Sequence, residues 1–306
     1  MAIRIAGIGT ALPSKVLSND DLAETMDTSD KWIRERAGIA SRHVGGLTSE
    51  MGVEAGNNAL KAADLTPDAI ELLLLSTSSP DQRFPGTSAQ IHAGIGLDCG
   101  AFDVNAACAG FAYGYVAAYG MMMLPGGPDR VLNIGSDALS SLVDWEDRGT
   151  AILFGDGAGA CVMERHDQGE LLAFDLGADG NLAPILYCEH GDTIHMAGRE
   201  VFKRAVRAVT ASIKKTLNQA GLTPEDVDVV LLHQANIRII EAVCDRTSLP
   251  MSKTHNVLET TGNTSTATIP LAMERAESAG ALAPGKIVLM SGFGAGMTWA
   301  TLVVRW

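Results

Sequence analysis

One cysteine stands in a setting that suits nucleophilic chemistry. Cys108 lies in the run Asn105-Ala-Ala-Cys-Ala-Gly-Phe111, after a strand-like stretch at 101–104 and before a long apolar helical pattern. A thiol at a helix N-terminus meets free N–H groups and the positive end of the helix dipole, which together predict a lowered pKa. The small neighbours leave room for a substrate. Because free cysteine is often buried, a thiol packed in a tight turn is the other interpretation of this segment.

The other four cysteines lack this setting and are predicted to be structural. They are Cys99, Cys161, Cys188 and Cys244. Without paired spacing in a chain of 306 residues, they predict free thiols and a reducing, cytoplasmic location.

Two later segments supply polar partners for a thiol. His233 lies in Leu232-His-Gln-Ala-Asn-Ile-Arg238, and Asn263 lies in Thr261-Gly-Asn-Thr-Ser-Thr-Ala267. Taken singly, they are typical of a structural histidine and a plain turn. Taken together with Cys108, they are the parts of a thiol site with two neutral hydrogen-bond donors. No G-x-S-x-G, H-E-x-x-H or C-x-x-C motif is present, so neither a serine hydrolase nor a metal site is supported.

A repeat indicates the elements that position these residues. The run from Leu60 to Asp68 recurs, with the same Leu, Ala, Leu, Thr and Pro order, between Leu217 and Glu225. Each copy predicts a helix, a Thr-Pro turn, a second short helical turn and a buried strand. His233 then follows the second of these strands. Glycine-rich segments at 154–160 and 293–297 predict turns that lead into closing strands, which argues against a dinucleotide or phosphate loop.

The repeat divides the chain into halves at 1–164 and 165–306. Two α/β units with sheets covered on both faces predict a five-layer α/β/α/β/α fold, with equivalent strand ends converging where the halves meet. A 46% hydrophobic composition supports a large core. The net charge of −13 argues against non-specific nucleic-acid binding and against a basic membrane-surface protein. No signal peptide is evident, and the longest apolar run, Phe111 to Leu124, is too short to span a bilayer.

An ordered series of motifs along essentially the whole chain resembles the β-ketoacyl-(acyl-carrier-protein) synthase III family of the thiolase superfamily. The motifs are Asp27-Thr-Ser-Asp-Lys-Trp-Ile33, Arg36, Arg83-Phe-Pro85, Ala106-Ala-Cys-Ala-Gly-Phe111, Gly135-Ser-Asp137, Asp147-Arg-Gly149, Phe154-Gly-Asp-Gly-Ala-Gly159, Met196-Ala-Gly198, Val201-Phe-Lys203, His233-Gln-Ala-Asn236, Gly262-Asn-Thr-Ser265 and Phe293 to Trp299.

The resemblance implies a thiolase fold, a homodimer, no metal or cofactor, and a Cys108–His233–Asn263 triad. Cys108 would take an acyl group from acyl-CoA, with the backbone N–H groups of Cys108 and Ala295 holding the oxyanion. His233 and Asn263 would donate to the thioester carbonyl of malonyl-acyl-carrier protein as carbon dioxide leaves. This decarboxylative Claisen condensation would initiate fatty-acid synthesis. Asparagine at position 263 separates the chain from the elongating synthases, which resemble a Cys-His-His pattern. The glycine loop 292–296 lacks the second cysteine of thiolases.

The same resemblance implies binding residues for coenzyme A. They are Thr28, Trp32, Arg36, Arg148, Gly198, Asn236 and Arg238. Trp32 and Arg148 would sandwich the adenine, since a guanidinium opposite an indole suits base stacking. The alternatives are an amphipathic-helix residue for Trp32 and a surface ion pair with Asp147 for Arg148.

Two further groups of residues concern the acyl chain and the carrier protein. Phe293 and, from across the dimer interface, Phe84 would shape the acyl pocket. An apolar ring on the Arg83-Phe-Pro-Gly86 turn needs cover, and its bulk predicts short starters. Lys203, Lys214 and Arg238 are candidates for docking the acidic carrier protein, with a solvated basic face as the alternative.

Other functions stay open at this stage. A specialised-pathway ketosynthase or an acyltransferase could use the same triad, and a non-catalytic thiolase-fold subunit would be expected to lack it. The segment between Gly180 and His195 is shorter than is usual in the family and lies near the expected pocket, so the acyl-chain preference is open.

Overall fold

The computed structural model describes residues 2–306. The strands are β1 (Ala2–Ala11), β2 (Val16–Ser18), β3 (Ser41–His43), β4 (Leu72–Ser76), β5 (Gly100–Val104), β6 (Arg130–Ala138), β7 (Asp156–His166), β8 (Glu170–Ala178), β9 (Leu186–Tyr187), β10 (His195–Met196), β11 (Val229–Leu232), β12 (Ile287–Gly294) and β13 (Thr298–Arg305). The α-helices are α1 (Asn19–Ala23), α2 (Asp30–Ala37), α3 (Thr48–Ala62), α4 (Thr87–Ile95), α5 (Gly110–Met123), α6 (Arg148–Ala151), α7 (Gly198–Ala220), α8 (Ile237–Thr247), α9 (Leu258–Thr261) and α10 (Thr268–Ser278).

Two mixed sheets form the frame of the molecule. The first has the strand order β1-β7-β6-β4-β5, in which β4 runs parallel to β5 and β6 while β7 runs antiparallel to β1 and β6. The second has the order β11-β12-β13-β8, with a parallel β11–β12 pair and antiparallel pairs elsewhere. The buried strands β4 and β11 are continuous apolar runs, as expected for strands covered on both faces.

Helices fill the remaining three layers. Helices α5 and α10 lie between the sheets, α3 and α4 cover the outer face of the first sheet, and α7 and α8 cover the outer face of the second. Helix α5 is apolar around its whole circumference because sheets enclose it, and Phe111 and Tyr115 are almost fully buried there. The predicted five-layer α/β/α/β/α fold is confirmed.

The repeat produces the same local structure twice. After α3, the Thr66-Pro67 step opens a short 3₁₀ turn that leads into β4, and after α7 the Thr223-Pro224 step does the same before β11. Proline suits the first position of such a turn because its N–H would have no helical partner. His233 is the residue directly after β11, as the sequence predicts.

The first glycine-rich segment is not a turn. Residues 156–160 belong to strand β7, whereas the second segment does form the predicted turn between β12 and β13. A Cβ atom on Gly159 would lie 2.7 Å from the ring of Pro270 in α10. The glycine in this strand therefore allows a helix to approach the sheet closely, which a local sequence pattern does not reveal.

The two sheets draw on separate parts of the chain. Strands up to His166 form the first sheet, and strands from Glu170 onward form the second. The predicted boundary at residue 164 falls within the last residues of β7, and we propose that the halves divide in the turn after this strand. The short segment after β8 forms a 3₁₀ turn, Gly180–Ile185, and the two-stranded hairpin β9–β10. Across residues 2–306, no helix is long and apolar enough to cross a membrane.

Candidate active site

A cavity of about 510 Å³ brings the candidate catalytic residues together. Cys108 reaches it from the first half of the chain, and His233 and Asn263 reach it from the second. The cavity walls also include the predicted residues Trp32, Arg36, Arg148, Gly198, Asn236, Arg238 and Phe293. Among the described residues that line it, the predicted Thr28, Phe84, Lys203, Lys214 and Ala295 are not found.

The thiol is held on a strained turn between strand and helix. Cys108 follows β5 and precedes Gly110, the first residue of α5. Its neighbour Ala107 has a φ of +48°, in the left-handed region that a residue with a side chain seldom adopts. The Gly110 N–H donates to the Ala107 carbonyl at 2.8 Å, which closes the turn. Strain of this kind persists where surrounding contacts hold the backbone in place.

The end of strand β12 packs against this turn. A Cβ atom on Gly294 would lie 2.4 Å from the Cys108 backbone nitrogen and 2.7 Å from the Ala107 Cβ. Only glycine permits this approach. The loop that carries Ala295 therefore begins beside the Cys108 peptide, although Ala295 itself lies outside the cavity lining in the described chain. Its role as an oxyanion donor remains a prediction.

The sequence-based prediction of a lowered thiol pKa is wrong for the free enzyme. Burial raises the pKa of Cys108 to about 12, and the negative charge of Asp137 acts in the same direction. A hydrogen bond from Ser265 favours the thiolate but does not offset the loss of hydration. Cys108 also lies two positions before the first residue of α5, outside the helix itself. The resting nucleophile is therefore a protonated thiol.

This pKa predicts how Cys108 reacts with a small electrophile. At pH 7 a thiol with a pKa of about 12 is thiolate in only about one molecule in 10⁵. Its alkylation by iodoacetamide should therefore rise about tenfold per pH unit between about pH 7 and 9, without a plateau. Mass spectrometry of the peptide that contains Cys108 would separate this reaction from alkylation of the exposed Cys188. A plateau near neutral pH would contradict the assignment and favour the helix-dipole effect.

His233 is buried and neutral. Its side chain is 3% exposed, and burial lowers its pKa to about 3, so the ring carries no charge at neutral pH. The backbone N–H donates to the Ser291 carbonyl at 2.8 Å, and the ring meets Phe293 edge-on at 5.2 Å between centroids. Nδ1 lies 2.7 Å from Oγ1 of Thr268. A neutral imidazole fixed in this way is suited to hydrogen bonding and not to carrying a positive charge.

Asn263 lines the cavity and is held there by its backbone and by its side-chain oxygen. Its backbone is fixed on both sides, since its N–H donates to the Leu153 carbonyl at 2.8 Å and its carbonyl accepts from Gly155 at 3.0 Å. The side-chain Oδ1 accepts the backbone N–H of Ser265 at 2.9 Å. Because a backbone N–H can only donate, the atom that faces it must be the oxygen. The Nδ2 group is thereby left to donate to a substrate.

A buried carboxylate holds the loop that follows Asn263. Oδ2 of Asp137 accepts from the N–H of Thr266 at 3.0 Å and from its hydroxyl at 2.7 Å. Oδ1 accepts from the N–H and hydroxyl groups of Ser79 at 3.1 and 2.9 Å. Asp137 thus ties the loop with Asn263 to the end of strand β6.

Trp32 and two arginines lie at the mouth of the cavity. The Arg36 and Arg148 guanidinium groups lie 4.5 and 4.6 Å from the centroid of the indole. Arg148 also donates to the Asp27 carbonyl at 2.6 Å. In this arrangement Arg148 rests on the indole itself, which leaves no space for a base between them. The predicted sandwich of an adenine between Trp32 and Arg148 would therefore require Arg148 to move outward.

Sequence reasoning missed several lining residues. Arg199 adds a further positive charge beside Gly198. The apolar part of the cavity wall includes Leu186, Met196 and Phe202. The basic side chain directly after Gly198 was a signal that could have identified Arg199. Leu186 and Met196 are brought to the cavity by the β9–β10 hairpin, whose pairing is not evident from the sequence.

Of the candidate docking residues, Arg238 lines the cavity, whereas Lys203 and Lys214 are not among its lining residues. Lys203 and Lys214 are exposed on α7, and Arg238 is exposed at the start of α8, where its guanidinium lies 5.8 Å from the Phe202 ring centroid. No group of three or more acidic, histidine or cysteine side chains with metal-binding geometry occurs in residues 2–306.

Comparison with known proteins agrees with the geometry of the site. Residues 102–180 match the family described as 3-oxoacyl-[acyl-carrier-protein (ACP)] synthase III, and residues 217–306 match its C-terminal family. A β-ketoacyl-[acyl-carrier-protein] synthase III 1 from Bacillus anthracis is 45% identical over 311 residues, covering 100% of this chain and 99% of that protein.

Solved structures give the same result. The crystal structure of 3-oxoacyl-[acyl-carrier-protein] synthase III from Aquifex aeolicus superposes with a TM-score of 0.97 at 39% identity, over 100% of both chains. The priming β-ketosynthase of the R1128 polyketide biosynthetic pathway superposes with a TM-score of 0.92 at 33% identity, over 99% of this chain and 96% of that one.

Proposed function

This chain belongs to the β-ketoacyl-[acyl-carrier-protein] synthase III family, and on that premise we propose that it condenses an acyl-CoA starter with malonyl-acyl-carrier protein through an acyl group held on Cys108. The reaction would initiate fatty-acid synthesis. The observation that carries the proposal is the meeting of Cys108, His233 and Asn263 in one cavity whose mouth bears Trp32 and several arginines.

Acyl transfer to Cys108 is the first step. The sulfur attacks the carbonyl carbon of the acyl-CoA, the carbonyl oxygen becomes an oxyanion, and the CoA sulfur leaves with the thiol proton. The Cys108 N–H and the loop that begins at Gly294 are the candidate oxyanion donors. Because the resting thiol is protonated, proton removal has to accompany the attack.

Decarboxylation and carbon–carbon bond formation follow. Nδ2 of Asn263 and the His233 ring would donate to the malonyl thioester oxygen, on which negative charge grows as carbon dioxide leaves. Donors without charge are sufficient here, since the departing carboxylate supplies the electron pair. The enolate carbon then attacks the acyl-Cys108 thioester and expels the Cys108 thiolate, which takes up a proton from water to restore the thiol. These two steps use the side chains named above, the two substrates and that proton.

The arginines at the mouth suit a phosphorylated substrate. Arg36, Arg148, Arg199 and Arg238 all line the opening of the cavity. Guanidinium groups bind phosphate oxygens through two parallel hydrogen bonds. In a chain with a net charge of −13, this local cluster of positive charge supports CoA binding at the mouth, and Lys203, Lys214 and Arg238 support carrier-protein docking beside it.

Mass spectrometry of the intact protein with a panel of acyl-CoAs tests this proposal. We expect one acyl group per chain, located on Cys108, and release of one carbon dioxide per condensed product when malonyl-acyl-carrier protein is added. Absence of an acyl adduct with every acyl-CoA would overturn it. Acyl transfer without carbon dioxide release would favour an acyltransferase.

Removing the stacking residues should separate the two thioester substrates. We expect Trp32→Ala and Arg148→Ala each to raise the KM for acyl-CoA about tenfold, the loss of one cation–π or stacking contact. The KM for malonyl-acyl-carrier protein should change less than about twofold, because that substrate has no adenine. Steady-state kinetics with each substrate varied in turn provides the measurement.

Arg305→Ala is the matched control for loss of an exposed arginine, since Arg305 ends strand β13 outside the cavity lining. Equal losses for both thioesters in Trp32→Ala would leave Trp32 as a packing residue of the cluster around Ile33.

Exposed apolar groups near one sheet edge support a homodimer. Phe84 is 84% exposed, and Phe102 on the edge strand β5 is 38% exposed. The two are linked, because the Asp103 carboxylate of β5 accepts the backbone N–H groups of Thr87 and Ser88 just after the Phe84 turn. An unpaired strand edge beside exposed rings is a surface that a second copy can cover. We propose that Phe84 then reaches the acyl channel of the partner.

A smaller residue at position 84 should lengthen the accepted chain. We expect wild type to transfer acetyl and other short acyl groups to Cys108 most rapidly. Phe84→Thr should raise the rate with eight- to twelve-carbon acyl-CoAs at least about tenfold, since removing a buried aromatic ring frees space for several methylene groups. Phe174→Thr changes another exposed phenylalanine, on β8, and should leave the profile unchanged. A wild type that already prefers long chains would contradict the role of Phe84.

A second function remains a candidate because one similar solved structure is a priming ketosynthase of a polyketide pathway. The same site chemistry would serve there, and the short hairpin segment at the cavity wall is where the acceptor preference could differ. Product analysis with carrier proteins of the two kinds distinguishes the candidates.

A further inference from the structure

One hydroxyl group contacts Nδ1 of the His233 ring. Nδ1 of the ring lies 2.7 Å from Oγ1 of Thr268, the first residue of α10, and both side chains are buried. Within residues 2–306, the ring makes no other hydrogen bond to a side chain. The ring's other nitrogen, Nε2, is the one left for a substrate. Whether Nε2 can donate depends on where the single proton of the neutral ring resides.

Thr268 has one proton and two acceptors within reach. Besides Nδ1 of His233 at 2.7 Å, the carbonyl oxygen of Ser265 lies 2.9 Å from Oγ1. If the hydroxyl donates to Ser265, its oxygen must accept from Nδ1–H, and Nε2 is then a bare acceptor. If the hydroxyl donates to Nδ1, the ring proton is on Nε2, which can then donate.

The surrounding hydrogen bonds are compatible with the second arrangement. The Ser265 carbonyl already accepts the backbone N–H of Thr268, so it keeps a donor when the hydroxyl turns to the ring. The hydroxyl-to-ring contact is also the shorter of the two. Nδ1 has no other donor among its contacts in residues 2–306. No group in this set loses its partner when Thr268 donates to His233, and this arrangement is the one in which Nε2 can act as a donor.

The same loop orients the second donor. The Ser265 N–H donates to Oδ1 of Asn263, which leaves Nδ2 as the donor atom of this cavity-lining amide. Ser265 itself has a φ of +52°, and the bonds from Thr266 to Asp137 hold this strained turn in place. Residues 263–268 thus form one loop that contacts both Oδ1 of Asn263 and Nδ1 of His233.

We propose that Thr268 is a positioning residue that sets the tautomer of His233, by donating its hydroxyl proton to Nδ1 so that Nε2–H faces the substrate. The proposal rests on the role given to His233 above. Without Thr268, a bare Nε2 would place a lone pair against the thioester oxygen, which opposes the growing negative charge. A hydroxyl at position 268 is therefore required for decarboxylation and not for acylation of Cys108.

Nitrogen-15 NMR of the histidine rings tests the tautomer directly in the free enzyme. Protein with ¹⁵N-labelled histidine is measured at pH 7 by long-range proton–nitrogen correlation, and His233→Ala identifies the His233 signals. We expect the pattern of a neutral ring protonated at Nε2. A ring protonated at Nδ1 would overturn the proposal. This readout needs no turnover, so it stands even if the proposed reaction fails.

Two variants test the consequence for chemistry. Thr268→Val keeps the shape and removes the hydroxyl, and we expect about a tenfold loss of malonyl decarboxylation with acylation of Cys108 unchanged, the effect of one neutral hydrogen bond. Thr268→Ser should restore decarboxylation to within about twofold. Decarboxylation by folded Thr268→Val at the wild-type rate would overturn the proposal, as would equal losses in both variants. If Thr268→Val does not fold, the proposal is tested by the tautomer seen in the wild-type NMR spectrum and by the decarboxylation rate of Thr268→Ser.

Discussion

Replacement of Cys108 by serine is expected to lower condensation at least about 10³-fold and to remove the covalent acyl adduct. The hydroxyl has nearly the volume of the thiol but is a far poorer nucleophile toward a thioester. The turn that carries Cys108 is fixed by backbone bonds and by the approach of Gly294, so the fold should be retained. Intact mass after incubation with acyl-CoA, together with the rate of product formation, provides the measurement.

Cys244→Ala is the matched control for this prediction. Cys244 is a buried free cysteine in α8 that does not line the cavity in the described structure, and its loss should leave acylation unchanged. A second variant, Cys108→Gln, has an amide that resembles an acylated side chain. We expect it to permit malonyl decarboxylation without condensation. Acyl adduct formation by Cys108→Ser at the wild-type rate would show that another residue is the nucleophile.

The sequence predicted the positions of the catalytic residues better than their chemical state. The strand–cysteine–helix order and the repeat placed Cys108 and His233 at strand ends because periodicity and turn residues are local signals. The roles of these residues came from a family resemblance. The thiol pKa was predicted in the wrong direction, because the helix dipole is a local effect while burial depends on Asp137, Ser265 and walls from distant parts of the chain.

Contacts between distant segments account for most of the remaining differences. The position of Thr268 beside His233 joins residues 35 apart, and it exists only because the 3₁₀ turn at Ser265 precedes α10. The direct contact of Arg148 in α6 with Trp32 in α2 likewise joins two helices that are distant along the chain. Gly159 in β7 allows the close approach of Pro270, which no local glycine pattern indicates. The spacing of residues along the chain does not reveal which distant segments will come into contact.

Loss of either donor to the malonyl thioester should separate the two half-reactions. We expect His233→Ala and Asn263→Ala each to lower malonyl decarboxylation about 10²–10³-fold, the usual effect of removing a donor to a developing oxyanion. Acylation of Cys108 should stay within about threefold of wild type, because neither donor is assigned to the first step. Carbon dioxide release from malonyl-acyl-carrier protein and the rate of adduct formation are measured on the same preparations.

A closer test at position 263 keeps the shape of the side chain. Asn263→Asp retains the oxygen that accepts the Ser265 N–H at 2.9 Å and replaces the donating Nδ2 by a second acceptor. If Asn263 acts as a donor, this variant should decarboxylate no faster than Asn263→Ala, although its backbone contacts are preserved. A structural role would instead predict that Asn263→Asp retains most of the activity. His166→Ala, at the end of β7 outside the cavity lining of residues 2–306, is the control for loss of a histidine.

The rate of Cys108 acylation in His233→Ala decides whether His233 is a donor to the malonyl thioester or the base that deprotonates Cys108. His233 is neutral because burial lowers its pKa to about 3, so its effect on decarboxylation should not titrate between about pH 6 and 8. If His233 were instead the base that removes the Cys108 proton, His233→Ala would lose acylation while it retained decarboxylation. That result would reverse the assignment, since the buried thiol with a pKa of about 12 must give up its proton when it attacks. Loss of decarboxylation alone in both variants would establish that His233 and Asn263 act together on the thioester oxygen.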